Sequence, residues 1–495
     1  MRYLSTRDKT VRVHGAQAIA QGLSYDGGLF VPEVLPGLSA GQLQSLCAMN
    51  YRQRAVYIMG AFLQDFTSAE LTNFTERAYS PQGFNTPAVA PLQKLTEDKW
   101  FLELWHGPTS AFKDMALQML PHLLTAALEK TGERRQACIL VATSGDTGKA
   151  ALEGFADVEQ TKILVFYPKD GVSTVQEMQM VTQEGDNVGV LGVHGNFDDA
   201  QGGVKQIFGD RALAQELSDR GYFLSSANSI NWGRLLPQIV YYVSAYCDLV
   251  NSRRIVIGDK VNFAVPTGNF GNILAGFYAK QMGLPVGKLI CASNANNVLT
   301  EFIQTGTYDR NRPFHTTISP SMDILVSSNL ERLLFALSNG DDKQTAGYMQ
   351  ELAETGKYTV TQKIKTALDQ TFWADFCDDQ RTKETLAQVF ESTGYLMDTH
   401  TAVAYDVLGK YQTATGDTTS AVVVSTASPY KFADSVLDAL GQRGDAEGLA
   451  LIDRLAEVTG TVPPQPLADL NGKRPRFDAV VEKDGMLDAV QAFLG

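Results

Sequence analysis

Ala137-Cys-Ile-Leu-Val-Ala-Thr-Ser-Gly-Asp-Thr-Gly148 is an uninterrupted apolar run that breaks into a polar turn. Six apolar residues without alternation fit a strand buried on both faces, as in parallel sheets covered by helices. The turn contains glycine and leads into a helical pattern from Gly148 to Phe155. One such unit implies more of the same, and the chain supplies them.

Downstream, Lys162–Tyr167 reads as a strand and Val175–Glu184 as a helix. Asn187–His194 is again strand-like and Asp199–Phe208 helical. Phe223–Ser226 precedes a longer helix over Trp232–Leu249. Lys260–Val265 and Ile273–Met282 repeat the unit, and Lys288–Ala292 begins another. This alternation predicts parallel sheets with helices on both faces. Residues 325–415 read as largely helical, and Ser420–Thr426 gives one more buried strand before a helix over Tyr430–Leu440. Upstream, the spacing of Leu43, Leu46, Tyr57, Met59, Phe62, Leu63 and Phe66 is helical, so residues 1–90 read as a small, mostly helical domain. Residues 91–455 form the α/β region, and 456–495 a C-terminal extension in which no chemistry is read.

The totals bound the possibilities. A chain of 495 residues exceeds one hydrophobic core, so two or three domains are expected. Apolar content of 44 % and charged content of 20 % describe an ordinary globular protein. A net charge of −13 disfavours nucleic acid or an anionic membrane as partner. The five cysteines are scattered without a CxxC pair, which argues against a zinc cluster or disulfide scaffold and suits the reducing cytosol. No metal site is read. The N-terminal residues lack an apolar signal core, and no stretch is long and apolar enough to span a membrane.

In open α/β sheets, ligands collect at the carboxyl ends of the strands. Thr143–Gly148 joins a strand to a helix start, where exposed N–H groups and the Ser144 and Thr147 hydroxyls can receive a carboxylate or phosphate; helix capping would also explain these residues. Pro266-Thr-Gly-Asn-Phe-Gly-Asn272 is a second such loop, neither a Walker loop nor a GxGxxG fingerprint. Ser425-Thr-Ala-Ser-Pro429 ends the last strand and offers the Thr426 hydroxyl. Ser226–Arg234 gathers amides, hydroxyls and an arginine ahead of a helix, an unfavourable place for a cation unless an anion binds there.

Leu104-Trp-His-Gly-Pro-Thr-Ser-Ala-Phe-Lys-Asp-Met-Ala-Leu117 carries Lys113 at the start of a segment that reads as helix to about Lys130. The positive end of a helix dipole lowers the cost of removing the lysine's proton. A neutral amine is the form that condenses with an aldehyde.

Together these segments resemble the threonine synthases, within the fold-type II pyridoxal-phosphate enzymes. The resemblance rests on His106–Asp114, Gly268–Asn272, Thr143–Gly148, Asp26-Gly-Gly-Leu-Phe-Val-Pro-Glu33 and Ser319-Pro-Ser-Met-Asp-Ile324, in the family's order over roughly residues 3 to 440. Two positions depart from the usual pattern: Asp8 stands where Gly is common, and Asp146 where several related lyases carry Asn. The resemblance implies two parallel-sheet α/β domains sharing a cleft for pyridoxal 5'-phosphate. It implies that Lys113 holds the cofactor as a Schiff base and then shuttles protons. Gly268, Asn269, Phe270, Gly271 and Asn272 would surround the cofactor phosphate, with Thr426 at the pyridine nitrogen. Ser144, Gly145, Asp146 and Thr147 would line the substrate carboxylate side, and Asn228, Ser229 and Arg234 would hold the phosphate of O-phospho-L-homoserine. The implied reaction gives L-threonine and phosphate, in a cytoplasmic monomer or small homo-oligomer. The nearest alternative is a related lyase such as a threonine or serine dehydratase, which has no need of Arg234.

Overall fold

Two parallel sheets organise the chain, as the repeating strand–helix pattern predicts. The computed structural model describes residues 1–495, the side chain of Asp198 excepted. The larger sheet has six strands, in the order Phe372–Phe376, Val286–Ser293, Val261–Pro266, Ala421–Ser425, Lys99–Glu103 and Leu92–Lys94. The first five are parallel and the last is antiparallel. The second sheet has five parallel strands, ordered Val480–Val481, Val188–Val193, Thr161–Pro168, Gln136–Ala142 and Tyr222–Ser225. Ala137, Cys138, Leu140 and Val141 are fully buried, as a strand covered on both faces requires. Its alternate residues divide between two core clusters, one on each side of the sheet.

Several elements are absent from the sequence reading. Residues 1–90 contain a three-stranded antiparallel sheet, with Arg2–Ser5 between Arg12–His14 and Phe30–Pro32. These strands have three or four residues, too short to show a period. The helical stretch from Ser39 resolves into Ala40–Cys47, Tyr51–Phe62 and Ser68–Ala78, each opened by a capping box. Within the largely helical stretch, Phe372–Phe376 forms the edge of the larger sheet. It follows the helix Gln362–Thr371 without a break, so its apolar residues read as that helix's continuation.

The segment after Lys113 is two helices, Asp114–Leu117 and Leu120–Thr131. Pro121 stands in the first turn of the second, where its missing N–H costs nothing. The tail is no separate appendage. The helix Ala450–Thr459 runs across position 455, Val480–Val481 pairs with Val188–Val193, and Met486 and Val490 are buried in the second sheet's core. No helix is long and apolar enough to cross a membrane.

Trp232, at the start of the helix Trp232–Asn251, joins the first region to the rest. It is fully buried against Tyr3, Phe62 and Tyr278. Burying such a side chain contributes about 1.5–3 kcal/mol. The following turn of this helix therefore has a fixed position, and Arg234 lies on it.

Candidate active site

Five loops leave strands at their carboxyl ends and meet around one cavity of about 520 Å³. They follow Lys99–Glu103, Gln136–Ala142, Tyr222–Ser225, Val261–Pro266 and Ala421–Ser425. Lys113, Ser144, Thr147, Asn228, Ser229, Arg234, Thr426 and the whole of Gly268–Asn272 line the cavity. Of the residues singled out in the sequence, only Gly145 and Asp146 are not on its wall.

Lys113 immediately precedes the four-residue helix Asp114–Leu117. Its Nζ lies 3.5 Å from Ser321 Oγ. Burial lowers its pKa to about 8; the Asp146 carboxylate opposes this, while Arg234 and Lys431 add to it. The helix-dipole argument thus gives the right direction from a minor cause. A single short turn supplies little dipole, and desolvation dominates. Nearby, Asp114 accepts hydrogen bonds from the Thr109 N–H at 2.9 Å and hydroxyl at 2.7 Å, which fixes the turn that delivers Lys113. Gly107 is required there, because a Cβ would stand 2.5 Å from an Asp114 carboxylate oxygen.

Asp146 stands behind the cavity wall. One carboxylate oxygen takes Lys431 Nζ at 3.1 Å and Gln176 Nε2 at 2.9 Å, and the other faces Ser321 Oγ on the cavity wall at 3.4 Å. Burial opposes its charge, but Lys431, Lys113 and Gln176 outweigh burial and hold its pKa below the usual carboxylate value. Gly145 supplies the turn: its φ is 124°, and a Cβ would lie 2.4 Å from Gln176. Thr143, Ser144 and Thr147 are the residues of the loop on the cavity.

The Gly268–Asn272 loop presents backbone. Phe270 has φ 66°, in the left-handed region, and its ring is buried against Phe372 at 5.8 Å. A side chain at Gly268 would meet the Ser321 carbonyl at 2.6 Å. The helix Gly271–Met282 starts here, so its free N–H groups face an incoming anion. Asn272 accepts from the Tyr241 and Tyr242 hydroxyls at 2.7 and 2.8 Å, and its Nδ2 has no partner.

Arg234 is 3 % exposed. One terminal nitrogen donates to the Ala227 carbonyl at 2.7 Å, and Nε has no partner. No carboxylate lies within ion-pair distance among the described residues. Burial pushes its pKa down to about 10. A buried cation without a counter-ion on a cavity wall is a receptor for an anion. Thr426 is buried, and its carbonyl accepts the Phe112 N–H at 2.7 Å, which holds its loop against the Lys113 turn.

Three further residues belong to the site. Ser321 lies in the Ser319–Ile324 segment, which carried a family match without a role. Its Oγ is 3.4 Å from Asp146 Oδ2, bridging Lys113 to that carboxylate. Lys431 lies two residues beyond Pro429, where the sequence reading of that loop stops. His400 had no sequence signal. Its Nε2 accepts the Ser321 N–H at 3.2 Å, so Nδ1 carries the proton toward Asp398, 2.9 Å away.

A buried lysine with a lowered pKa, facing a cavity where the loops of two parallel sheets meet, suits a pyridoxal-phosphate dependent enzyme. Residues 79–368 match the family described as "Pyridoxal-phosphate dependent enzyme", residues 2–79 "Threonine synthase N terminus", and residues 401–494 "Threonine synthase, C-terminal". The chain is 40 % identical over 459 residues to a threonine synthase of Pseudomonas aeruginosa, covering 92 % of this chain and 93 % of that one. It is 41 % identical over 436 residues to "Threonine synthase-like 1" of Homo sapiens, covering 86 % of this chain but only 58 % of that protein. Solved threonine synthases from Brucella melitensis, with pyridoxal phosphate bound, and from yeast superpose with a TM-score of 0.88 at 36 % and 34 % identity. They cover all of this chain and 98 % of their own. The chain belongs to the threonine synthase family.

The residues present fit the family's cofactor. Lys113 offers an amine with a lowered pKa, and the Gly268–Asn272 loop offers backbone donors and a helix start for a phosphate.

Proposed function

We propose that the protein is a threonine synthase, converting O-phospho-L-homoserine and water to L-threonine and phosphate. The observation that carries this reading is Arg234, a buried cation whose Nε lacks a partner, on the wall of the cavity that holds Lys113. An enzyme acting only on serine or threonine has no side-chain phosphate to place there.

The chain's own residues divide the work. The Gly268–Asn272 loop would hold the cofactor phosphate through backbone N–H groups, and Thr426 would meet the pyridine nitrogen with a neutral hydroxyl. The cofactor, when bound, supplies the sink for electrons left on the substrate carbon after a proton departs. Ser144 and Thr147 hold the substrate carboxylate. Arg234, with Asn228 and Ser229, holds the substrate phosphate. Lys113 Nζ, once free, takes protons from Cα and then Cβ before phosphate leaves Cγ, and returns protons when water adds at Cβ. Repeated transfer needs an amine that both gains and loses a proton near neutrality, and a pKa of about 8 provides one. Asp146 keeps the protonated state from becoming too costly, and Ser321 lies between them. Five buried free cysteines support a reducing, cytoplasmic setting, and we take the protein to work there as a monomer or small homo-oligomer.

The test is the absorption spectrum of the purified protein before and after adding O-phospho-L-homoserine, with products assayed. The reading requires a cofactor band that changes on addition, and threonine and phosphate released in equal amounts. An unchanged band, or turnover of serine without any phosphate release from phosphohomoserine, would overturn it.

A further inference from the structure

Neither Asp26–Glu33 nor the segment after Ile324 has yet acquired a task, and a second buried arginine joins them. Arg332 is fully buried and has no carboxylate partner among the described residues. Each of its three nitrogens donates to a neutral oxygen: Nε to the Phe30 carbonyl at 3.0 Å, one terminal nitrogen to Asn329 Oδ1 at 2.5 Å, and the other to the Ile230 carbonyl at 2.6 Å. Asn329, also fully buried, donates Nδ2 to the Ser229 carbonyl at 3.1 Å and its backbone N–H to the Asn269 carbonyl at 3.2 Å. Ser327 Oγ donates to the Gly268 carbonyl at 2.8 Å.

The neighbouring residue ties this cluster to the first region. Glu331 accepts from Arg7 Nε and a terminal nitrogen at 2.9 and 2.8 Å, and from the Thr6 hydroxyl at 2.5 Å. Thr6 Oγ1 in turn accepts the Leu29 N–H at 2.8 Å, and Asp26 is held by the Ser5 hydroxyl at 2.8 Å.

We infer that Arg332 and Asn329 are positioning residues that clamp the loop carrying Asn228 and Ser229 to the Gly268–Asn272 loop, with the first region as the anchor. Apolar residues would fill this volume without burying a charge. An arginine fork fixes three carbonyl-type oxygens at set angles, which packing alone does not do. The consequence is a fixed spacing between the two places where anions are received. The Asp26–Glu33 segment then serves by placing the Phe30 carbonyl.

This inference rests on the proposed reading of those two loops, so its test has an arm independent of activity. Hydrogen–deuterium exchange of the holoenzyme is followed at residues 226–231 and 268–272 in wild type, Asn329→Ala, Arg332→Lys and Glu331→Gln. Arg54→Lys is the control. That arginine joins the same first region to Ser244 and Asp248, far along the helix Trp232–Asn251, without touching either loop, so its loss reports general loosening. The clamp predicts faster exchange in both loops together for Asn329→Ala and Arg332→Lys, less for Glu331→Gln, and none for Arg54→Lys. It also predicts KM for O-phospho-L-homoserine raised about tenfold in Asn329→Ala. Exchange at wild-type rates in both loops, or a rise matched by Arg54→Lys, would overturn it. If wild type does not turn over phosphohomoserine, the proposed activity fails, and the exchange comparison alone decides the clamp.

Discussion

Lys113 and Lys431 share one carboxylate, Asp146, and differ in everything else around them. Lys431 is fully buried, and its ammonium reaches Asp146 at 3.1 Å, Gln179 Oε1 at 2.7 Å and the Thr109 carbonyl at 2.8 Å. Lys113 has a single hydroxyl at 3.5 Å, and burial brings its pKa to about 8. The first is held by two oxygen acceptors and an ion pair. The second is an amine that gives up its proton easily and faces a cavity. Burial alone does not make a lysine reactive; burial with too few partners does.

Four changes break or sharpen that contrast. Lys113→Ala has the largest effect on activity. Loss of the base lowers kcat by roughly 10²–10⁴-fold or more, and the visible band of lysine-bound cofactor disappears. Assays with phosphohomoserine and an absorption spectrum check both. Lys431→Met acts on the fold first. Leaving Asp146 buried without its ion pair costs about 3–5 kcal/mol, read from urea unfolding, and adding Asp146→Asn restores much of the loss. If Lys431→Met alone leaves stability unchanged, Lys431 is not the paired lysine.

Arg234→Ala separates substrates. A charge-assisted hydrogen bond is worth roughly 1.5–3 kcal/mol, so kcat/KM for phosphohomoserine falls about ten- to a hundredfold or more. Arg234→Lys recovers part of this, and slow turnover of serine is nearly untouched. Equal losses on both substrates would make Arg234 structural. The smallest effect is on pH. Capture of pyridoxal phosphate by the apoprotein needs the neutral amine, whose fraction rises with pH. Half-maximal rate falls near pH 8, well below the 10.5 of an ordinary lysine. Asp146 is the charge that raises this pKa, so Asp146→Asn moves the midpoint lower. A midpoint that moves higher would contradict the assignment of Asp146.

Much of this was legible in the sequence, for identifiable reasons. Buried parallel strands such as Ala137–Ala142 announce themselves as apolar runs. Loops with Gly, Ser and Thr at strand ends announce where ligands collect. Lys113, Thr426, Arg234 and Gly268–Asn272 meet in space because they follow such strands. What escaped had no local signal. Phe372–Phe376 is an edge strand fused to a helix, and Val480–Val481 is two residues long. Lys431, His400 and Arg332 each depend on a partner 79 or more residues away, which no window along the chain reveals. Asp146 was legible on its loop, but its ion pair with Lys431, 285 positions on, was not.

The contrast between the two lysines is tested most directly by borohydride reduction of the holoenzyme followed by peptide mapping. The label is expected on Lys113 alone, with Lys431 unmodified. Label on Lys431, or on any lysine other than Lys113, would contradict the account.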